Sequence, residues 1–533
     1  MTLELWRPVP ERVESAQITA FMRAMAARHG VDLPDYSALY QWSIDDPVSF
    51  WEGVWDSCGV IAAERGLTTL IDGDRMPEAR WFPQARLNFA ENILRHRGDT
   101  DAIVFRGEDQ ARSRWSHAQL YQSVSRLVSA LRDLGVKPGD RVAGYMPNMP
   151  ETIAAALAAA SLGAVWSSGS PDFGVNGIVD RFGQIEPRVL FTVDGYFYNG
   201  KRHDLLEKLT QIRRRIPSLE RVVVVPYTAA EPELGSVADA LTWDAFTEPF
   251  DPIEIEFEQF PFDHPLYILF SSGTTGVPKC IVHGAGGTLL QHLKEHRLHT
   301  DLKQGDRFFY FTTCGWMMWN WLVSGLASDA TLLLYDGSPF YPDGNVLFDF
   351  AQAEEMTVFG TSAKYIDALK KAELEPARTH KLGPLRAMLS TGSPLAPESF
   401  DYVYQSVKQD LCLSSITGGT DIISCFVPGN PVLPVYRGEL QSRGLGMAVE
   451  VWNEAGRPVV GEKGELVCVK PFPSMPVGFW NDVDGSKYRQ AYFDRFPNVW
   501  CHGDYVELTE RGTLVVYGRS DTVLNPCLLY TSD

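Results

Sequence analysis

The sequence is poor in the features that mark membrane, secreted and nucleic-acid-binding proteins. Its longest apolar run, Ile153 to Trp166, is Ala-rich and shorter than the roughly 20 residues that cross a bilayer. Acidic residues outnumber basic ones, and the net charge of −19 argues against a nucleic-acid surface, which needs clustered cations. Residues 1–17 carry several charges and no apolar core. We therefore expect no signal peptide and a cytoplasmic location.

Cysteine is also scarce, with eight residues in 533, and none lies in a CxxC pair or at a zinc-like spacing. This pattern predicts reduced thiols rather than a disulfide framework or a metal centre. The length predicts several domains, and the hydrophobic fraction of 45% is typical of folded globular proteins. An acidic balance does not exclude ATP or CoA, because Gly-rich loops and a few cations can hold phosphates.

Alternating strand-like and helix-like runs begin near residue 101, after an irregular segment of short predicted helices. This alternation predicts an α/β architecture with helix-covered parallel sheets. Residues 116–134 have helical spacing that ends at Gly135, and Ile153–Trp166 is predicted to be a buried helix opened by Pro150. Shorter strands after Gly446 predict a β-rich subdomain. The predicted strands are 102–106, 141–145, 189–193, 222–225, 267–270, 308–312, 331–335, 388–391, 465–470 and 513–517.

A stretch of small hydroxyl residues and glycines follows the predicted strand Tyr267–Phe270. Glycines let backbone N–H groups approach an anion closely, and Lys279 supplies a positive point charge. Pro278 precedes Lys279 where a Walker loop has Gly, so a P-loop NTPase is disfavoured. The segment predicts phosphate binding by a different loop, with the residues Ser271, Ser272, Gly273, Thr274, Thr275, Gly276 and Lys279.

This segment resembles the signature of the adenylate-forming superfamily, which includes acyl-CoA synthetases, luciferases and peptide-synthetase adenylation domains. Four more segments similar to family motifs follow in the family's order: Gly392–Pro394, Thr417–Asp421, Trp500–Asp504 and Gly518–Asp521. The resemblance implies an adenylate-forming fold. That fold has a large N-terminal part with two helix-covered sheets and a β-rich subdomain, followed by a small α+β domain.

The resemblance also implies roles for single residues. Carboxylates suit Mg²⁺, and an Arg forms a fork with anionic oxygens. Asp421 stands where the family usually has Glu, and its side chain is shorter by one methylene, which reduces its reach to the metal. The implied roles are adenine contact for Gly392, Ser393 and Pro394, nucleotide contact for Thr417 and Gly419, phosphate contact for Thr420, Mg²⁺ binding for Asp421, ribose binding for Asp504, nucleotide contact for Arg519 and a hinge at Asp521; Lys279, Thr420, Asp421 and Arg519 are the expected catalytic residues.

Within the superfamily the sequence is most similar to the acetoacetate-activating branch. Gly418 stands where acetate-activating relatives have a Trp that closes the acyl pocket, and a pocket without this wall should hold four carbons better than two. The expected pocket residues are Trp316, Met317, Met318, Thr391 and Gly418, with Thr391 a hypothetical donor to the 3-oxo group; for the two Met residues, core filling is an equal alternative. The resemblance rests on residues 40–45, 81–92, 168–174, 194–201 and 313–320.

Two further sites stay open between a functional and a structural role. Lys201 and Arg202 resemble a contact with the CoA nucleotide, and a solvated basic pair is the alternative. His283 either orients the acyl carboxylate or satisfies a backbone carbonyl.

The expected reaction joins acetoacetate to CoA with ATP and Mg²⁺ through an acyl-adenylate. The expected domains are an N-terminal cap (1–95), an adenylation domain (96–518), a hinge with the start of a truncated C-terminal domain (519–526) and a non-native tail (527–533). Because the small domain carries a catalytic Lys in the family, we expect weak adenylation and little thioester formation from this chain. The alternatives are an acetyl- or propionyl-CoA synthetase, an adenylation domain feeding a carrier protein, and a non-catalytic nucleotide-binding protein.

Overall fold

The computed structural model describes residues 3–108, 111–271 and 277–520. The α-helices within these ranges are α1 Pro10–Ser15, α2 Gln17–His29, α3 Tyr36–Asp45, α4 Pro47–Ser57, α5 Phe89–Ile93, α6 His117–Asp133, α7 Pro150–Ser161, α8 Val175–Ile185, α9 Leu206–Arg215, α10 Trp243–Thr247, α11 Ala285–Lys294, α12 Met317–Val323, α13 Val346–Ala353, α14 Ala363–Lys371, α15 Pro376–Thr379, α16 Pro397–Tyr402 and α17 Ser486–Phe493. Two π-helical segments, Glu295–His299 and Val403–Val407, continue α11 and α16. Two short 3₁₀ segments are Leu234–Ser236 and Ser324–Ser328.

The strands in the same ranges begin with a few short pairs and then build three larger sheets. They are β1 Glu4–Trp6, β2 Leu70–Ile71, β3 Arg80–Trp81, β4 Arg86–Leu87, β5 Asp101–Gly107, β6 Ala111–Ser116, β7 Arg141–Tyr145, β8 Val165–Gly169, β9 Val189–Val193, β10 Gly195–Tyr198, β11 Lys201–Asp204, β12 Arg221–Val225, β13 Ala240–Thr242, β14 Phe260–Pro261, β15 Pro265–Ser271, β16 Lys279–Gly284, β17 Arg307–Tyr310, β18 Thr331–Asp336, β19 Val358–Ser362, β20 Ala387–Thr391, β21 Cys412–Ser415, β22 Thr417–Gly419, β23 Ser424–Val427, β24 Val435–Tyr436, β25 Val449–Trp452, β26 Lys463–Cys468, β27 Gly478–Phe479, β28 Trp500–Leu508 and β29 Leu514–Arg519.

Two largely parallel sheets and one antiparallel sheet organise the chain. The first has the order β13-β12-β9-β7-β8-β15-β16-β27 and is parallel up to β15. The second has the order β21-β20-β19-β17-β18-β5-β6 and is parallel up to β5. The third, β25-β26-β28-β29, is antiparallel throughout. The predicted α/β architecture with a β-rich subdomain after Gly446 is confirmed.

The central parallel strands are buried on both faces, which explains why their apolar runs predict them well. All five residues of β9 are buried, as are four of the five in β12. The helix α6 also follows its sequence signals. Ser116 and Gln119 form a capping box at its start, and Gly135, just beyond its end, has a φ of +78°.

The apolar run Ile153–Trp166 is only partly helical, so the prediction of one helix through Trp166 is wrong. The helix α7 begins at Pro150 and ends at Ser161, and β8 begins at Val165. Between them Gly163 has a φ of +68°, which reverses the chain. A Cβ at Gly163 would lie 2.3 Å from the Phe260 ring, so no larger residue fits this turn.

The carboxyl ends of the parallel strands of the two large sheets face each other. Ser168, in β8 of the first sheet, donates a hydrogen bond of 2.8 Å to the carbonyl of Cys314, which follows β17 of the second. A Cβ at Gly315 would lie 3.1 Å from the Phe173 ring. Open α/β sheets bind ligands at the carboxyl ends of their strands, so this junction is the expected position of a site.

The N-terminal helices pack against the junction between the second and the third sheet. Tyr40 donates a hydrogen bond of 3.0 Å to the carbonyl of Met447. A Cβ at Gly446 would lie 2.6 Å from Phe50 and 2.7 Å from Trp51, so this position must be a glycine where the helices approach the backbone. Throughout the described ranges, every helix is too short or too polar to cross a bilayer.

Candidate active site

The strands β15 and β16 flank the predicted phosphate loop in the chain and pair with each other. Ser271, the last residue of β15, pairs with Lys279, the first residue of β16. The Nζ of Lys279 lies 3.5 Å from Oδ1 of Asp421, and it also lies over the Tyr492 ring at 5.3 Å and the Phe479 ring at 5.9 Å. A carboxylate and two aromatic faces thus orient the Lys279 ammonium while a third of its side chain stays exposed.

Asp421 receives a hydrogen bond from the hydroxyl of Tyr492, to the same Oδ1 that faces Lys279. Tyr492 belongs to α17 and stacks on Trp500 of β28, with 3.9 Å between ring centroids and an interplanar angle of 13°. This stack fixes the direction of the Tyr492 hydroxyl. Tyr492 therefore links Asp421, in the turn between β22 and β23, to Trp500 in β28 of the third sheet.

The pKa of Asp421 lies below its usual value despite partial burial. Burial raises this pKa, but Lys279, His502, the Tyr492 hydrogen bond and Arg519 together lower it by more. The pKa of Tyr492 shifts upward, because of burial and because of the neighbouring Asp421 charge. At neutral pH the pair is therefore a carboxylate and a protonated phenol, with the phenol as donor.

Asp504 and Arg519 face each other across the β28–β29 ladder. Nη1 of Arg519 donates to Oδ1 of Asp504 at 3.2 Å, and the hydroxyl of Thr417 donates to Oδ2 at 3.3 Å. Asp504 is buried, with 6% of its surface exposed, while the Arg519 side chain is 43% exposed. The buried Asp504 carboxylate therefore orients the Arg519 guanidinium, which faces solvent.

His502 ties the β22–β23 hairpin to β28. Its Nδ1 lies 3.4 Å from the indole N–H of Trp500, and its Nε2 lies 3.1 Å from the carbonyl of Gly418. Because the indole only donates and the carbonyl only accepts, the imidazole carries its proton on Nε2. This bond holds the segment that precedes Thr420 and Asp421.

The structure brings the predicted residues Lys279, Asp421, Thr417, Asp504 and Arg519 together in one cluster. Thr420 lies in the turn between β22 and β23 that carries Asp421, and Gly419 precedes it. Gly392, Ser393 and Pro394 form an exposed turn after β20, where Gly392 has a φ of +88°. The predicted residues Ser272, Gly273, Thr274, Thr275, Gly276 and Asp521, and the predicted tail, lie outside the described residues.

The predicted acyl-pocket residues line the start of α12 and the end of β20. Trp316 is the N-cap of α12, and Met317 and Met318 are each only 7% exposed. The hydroxyl of Thr391 donates to the carbonyl of Ile416 at 3.3 Å, so it would have to leave that bond to reach a substrate.

Gly418 has a different constraint from the one that the sequence suggests. A Cβ at this position would lie 2.2 Å from the carbonyl oxygen of Ser424, in the backbone of β23. Any larger residue at Gly418 must therefore displace the neighbouring strand. Close strand packing is thus a structural reason for the glycine, beside the open acyl pocket that the sequence predicts.

His283 is almost fully buried in β16, and burial lowers its pKa to about 3. The imidazole is therefore neutral and cannot attract a carboxylate by charge. Lys201 and Arg202 lie on the separate β10–β11 hairpin, where Arg202 donates to the hydroxyl of Thr228 at 3.0 Å and Lys201 is exposed.

Glu108 holds the tip of the β10–β11 hairpin. Its buried carboxylate accepts from the backbone N–H of Asn199 at 2.7 Å, of Gly200 at 3.2 Å and of Ser338 at 3.0 Å. Asn199 and Gly200 both have positive φ, as a tight two-residue turn requires. Lys201 follows directly, so its backbone position is fixed while its side chain reaches solvent.

Sequence reasoning missed Tyr492, His502 and Glu108 as contributors to these sites. His502 lies inside a recognised motif, and its position beside Asp504 was the available signal. Tyr492 and Glu108 stand in no motif, and only the folded chain shows what they contact.

Comparison with known proteins gives a consistent result. The signature of the AMP-binding enzyme family matches residues 89–476, and that of the acetyl-coenzyme A synthetase N-terminus matches residues 36–93. The acetoacetyl-coenzyme A synthetase of Rhizobium meliloti (strain 1021) is 59% identical, over 98% of this chain and 80% of the relative. The acetoacetyl-CoA synthetase of Danio rerio is 47% identical, over 98% of this chain and 79% of the relative.

The solved structure of acetoacetyl-CoA synthetase from Streptomyces lividans superposes on this chain with a TM-score of 0.93. The sequences are 45% identical, and the match covers 98% of this chain and 81% of that one. The chain therefore belongs to the AMP-binding enzyme family, in the group of the acetoacetyl-CoA synthetases.

Proposed function

We propose that this chain is an AMP-forming acid–thiol ligase that joins acetoacetate to CoA at the expense of ATP. A carboxylate oxygen of acetoacetate attacks the α-phosphorus of ATP and releases diphosphate. The CoA sulfur then attacks the carbonyl carbon of the acyl-adenylate, AMP leaves with the bridging oxygen, and the thiol proton goes to solvent. The cluster of Lys279, Asp421, Asp504 and Arg519, in a chain of this family, is the observation that carries the proposal.

Each charged residue of the cluster has a distinct task in this proposal. Lys279 neutralises charge on the phosphates, because its ammonium is exposed and oriented by Asp421 and Tyr492. Arg519 forms a fork with anionic oxygens beside it. Asp504 accepts hydrogen bonds from the ribose hydroxyls with the lone pairs that its bonds to Arg519 and Thr417 leave free. Phosphoryl transfer of this kind depends mainly on positioning and charge neutralisation.

Asp421 fits a Mg²⁺ site, because it is ionised, partly exposed and adjacent to the phosphate loop. Mg²⁺ usually keeps several waters and binds through one or two carboxylates plus substrate phosphates, so one Asp is a sufficient protein contribution. When bound, the ion would neutralise charge on the phosphates. Tyr492 keeps the carboxylate oriented toward that position through its hydrogen bond.

The exposed turn Gly392–Pro394 is proposed to border the adenine, and Ser271 with the loop residues 272–276 to donate to the phosphates. Lys201 and Arg202 are proposed to meet the CoA nucleotide from their hairpin. Trp316, Met317, Met318 and Thr391 are proposed to enclose the four-carbon acyl chain.

The domain boundaries stay proposals as well: a cap over 1–95, an adenylation domain over 96–518, and a hinge that begins at 519.

The direct test is exchange of labelled diphosphate into ATP by the purified 533-residue chain, with acetoacetate, acetate or 3-hydroxybutyrate as the acid. We expect exchange to be fastest with acetoacetate, and the Lys279→Met variant to lose it. Exchange at least as fast with acetate would contradict the substrate assignment. ATP binding without exchange for any acid would favour the non-catalytic alternative.

A further inference from the structure

The turn that presents Asp421 contains a strained residue. Ile423 has a φ of +49°, in the left-handed region that β-branched residues avoid, and its side chain is fully buried. Such conformations persist only where the surrounding structure determines them, and they cluster at functional sites. Ile423 lies two residues after Asp421, so whatever holds it also sets the position of that carboxylate.

His292 of α11 donates to the strained residue. Its Nε2 lies 2.6 Å from the carbonyl of Ile423, and its Nδ1 lies 2.8 Å from the hydroxyl of Ser324. Burial lowers the pKa of His292 to about 4, so the ring is neutral at pH 7 and carries one proton. A carbonyl can only accept, so that proton is on Nε2, and the Ser324 hydroxyl donates to Nδ1.

Glu295 and Gln291, on the same side of the helix, hold the residues that follow. Glu295 accepts from the backbone N–H of Cys425 at 3.1 Å, from the indole of Trp321 at 2.8 Å and from the hydroxyl of Ser424. Gln291 donates to the same Ser424 hydroxyl at 2.8 Å. All three helical side chains are fully buried. One turn of helix therefore fixes three consecutive residues of the segment after Asp421.

The helix changes geometry at this point. Residues Glu295–His299 form a π-helical segment, and such segments are frequent at functional sites. The turn is thus held from two sides. On the side of the charged cluster, charged groups contact Asp421. On the side of α11, neutral or buried hydrogen-bonding groups contact Ile423, Ser424 and Cys425.

We propose that His292 is a positioning residue whose Nε2–H bond to the Ile423 carbonyl holds the strained turn and thereby aims Thr420 and Asp421 at Mg²⁺-bound ATP. The proposal rests on the function proposed above. His292 touches no substrate in this arrangement. Its effect should therefore appear in the Mg²⁺ dependence of ATP binding, which a general loss of stability does not alter.

The experiment measures ATP affinity of the full 533-residue chain by calorimetry, at several Mg²⁺ concentrations, together with thermal unfolding. In His292→Gln the amide nitrogen takes the place of Nε2 and keeps the donor. In His292→Asn the shorter amide takes the place of Nδ1 and loses the bond. We expect about tenfold weaker Mg²⁺-dependent ATP binding for His292→Asn and less than about threefold weakening for His292→Gln, because an unsatisfied buried carbonyl is costly.

His296 supplies the matched control. It lies one turn further along, is fully buried, and donates from Nε2 to the carbonyl of Trp321 at 2.8 Å instead of to the turn. His296→Asn should lower the unfolding temperature but leave the Mg²⁺ dependence unchanged. Equal weakening by His292→Asn and His296→Asn, or none in a folded His292→Asn protein, would overturn the proposal.

A milder variant keeps the test decisive if His292→Asn does not fold. Ser324→Ala removes the donor that fixes the imidazole tautomer and should weaken Mg²⁺-dependent binding about threefold; unchanged binding would overturn the proposal. Failure of the proposed function is distinguishable, because the unmutated chain would then show no acetoacetate-dependent diphosphate exchange, whatever the variants do to Mg²⁺-dependent ATP binding.

Discussion

Two carboxyl groups near the junction of the large sheets have pKa values that shift in opposite directions. The pKa of Asp421 is lowered, whereas burial raises that of Asp336 to about 7. Asp336 ends β18, where the Tyr227 hydroxyl donates to it at 3.0 Å. Glu108 and Asp172 add negative charge near Asp336 and raise its pKa further.

The difference between the two carboxyl groups lies in their neighbours, since burial raises the pKa of both. Lys279 and Arg519 lower the pKa of Asp421, and no cation is among the groups that shift Asp336. The same residue type is therefore an anion at one position and a group that is about half protonated near pH 7 at the other. The variants below remove either a neighbour of one of these two carboxyl groups or the carboxyl group itself.

Removing Lys279 should have the largest effect. Lys279→Met removes the ammonium that Asp421 orients. We expect acetoacetate-dependent diphosphate exchange to fall about 10²–10³-fold, as when one preorganised charged group is lost. Lys303→Met is the control, because Lys303 pairs with Asp301 at 3.0 Å and is not part of the cluster. Comparable losses in both variants would show that the effect is not specific to the site.

Replacing Asp421 should have the next largest effect. Asp421→Asn keeps the shape but removes the charge, and we expect about a 100-fold loss of exchange together with a higher Mg²⁺ requirement. Asp421→Glu should recover most of the activity, because a carboxylate remains. If Asp421→Asn kept an unchanged Mg²⁺ requirement, Asp421 would not be the metal ligand.

Removing the Tyr492 hydroxyl should cost less. Tyr492→Phe keeps the stack on Trp500 but loses the hydrogen bond to Asp421, and we expect about tenfold slower exchange. Tyr488→Phe is a matched control on the same helix, because the Tyr488 hydroxyl has no hydrogen-bond partner among the residues that the structure describes. A tenfold loss in the Tyr488→Phe variant instead would contradict this role.

The Asp336 variant should change stability rather than turnover, and by the least. Because the folded-state pKa of Asp336 is raised above its ordinary value of 3.8 to about 7, the folded protein keeps this proton up to a higher pH than the unfolded chain does. Stability conferred by the proton is present at low pH and is lost as pH rises from about 4 to 7. Asp336→Asn should abolish this loss.

Chemical denaturation at pH 5 and pH 8 measures the Asp336 effect. Between pH 5 and pH 8 we expect the free energy of unfolding of Asp336→Asn, relative to that of the unmutated chain, to rise by about 1 kcal/mol. This is well below the maximum that the pKa shift implies, because the site is half-buried. Asp133→Asn, at an exposed carboxyl, is the control. Identical pH dependence in Asp336→Asn and the unmutated chain would refute the raised pKa.

Much of the fold could be predicted because apolar runs and turn residues act locally. The strand β9 and the capped helix α6 follow from neighbouring residues alone. By contrast, α7 ends at Ser161, before a turn at Gly163 where any larger residue would clash with Phe260, which is distant in sequence. The charged residues of the cluster lie in motifs, so the sequence indicated them. Tyr492 and His292 act across 71 and 131 residues, and no local pattern marks such pairs.

Transfer of ¹⁸O from labelled acetoacetate carboxylate to AMP tests the central claim most directly, because it follows the bond that the cluster is proposed to form. With ATP, Mg²⁺, CoA and the 533-residue chain, the account predicts AMP that carries one ¹⁸O atom, at a rate reduced by Lys279→Met. AMP that forms without the label, or label transfer unaffected by Lys279→Met, would contradict acyl-adenylate formation at this site.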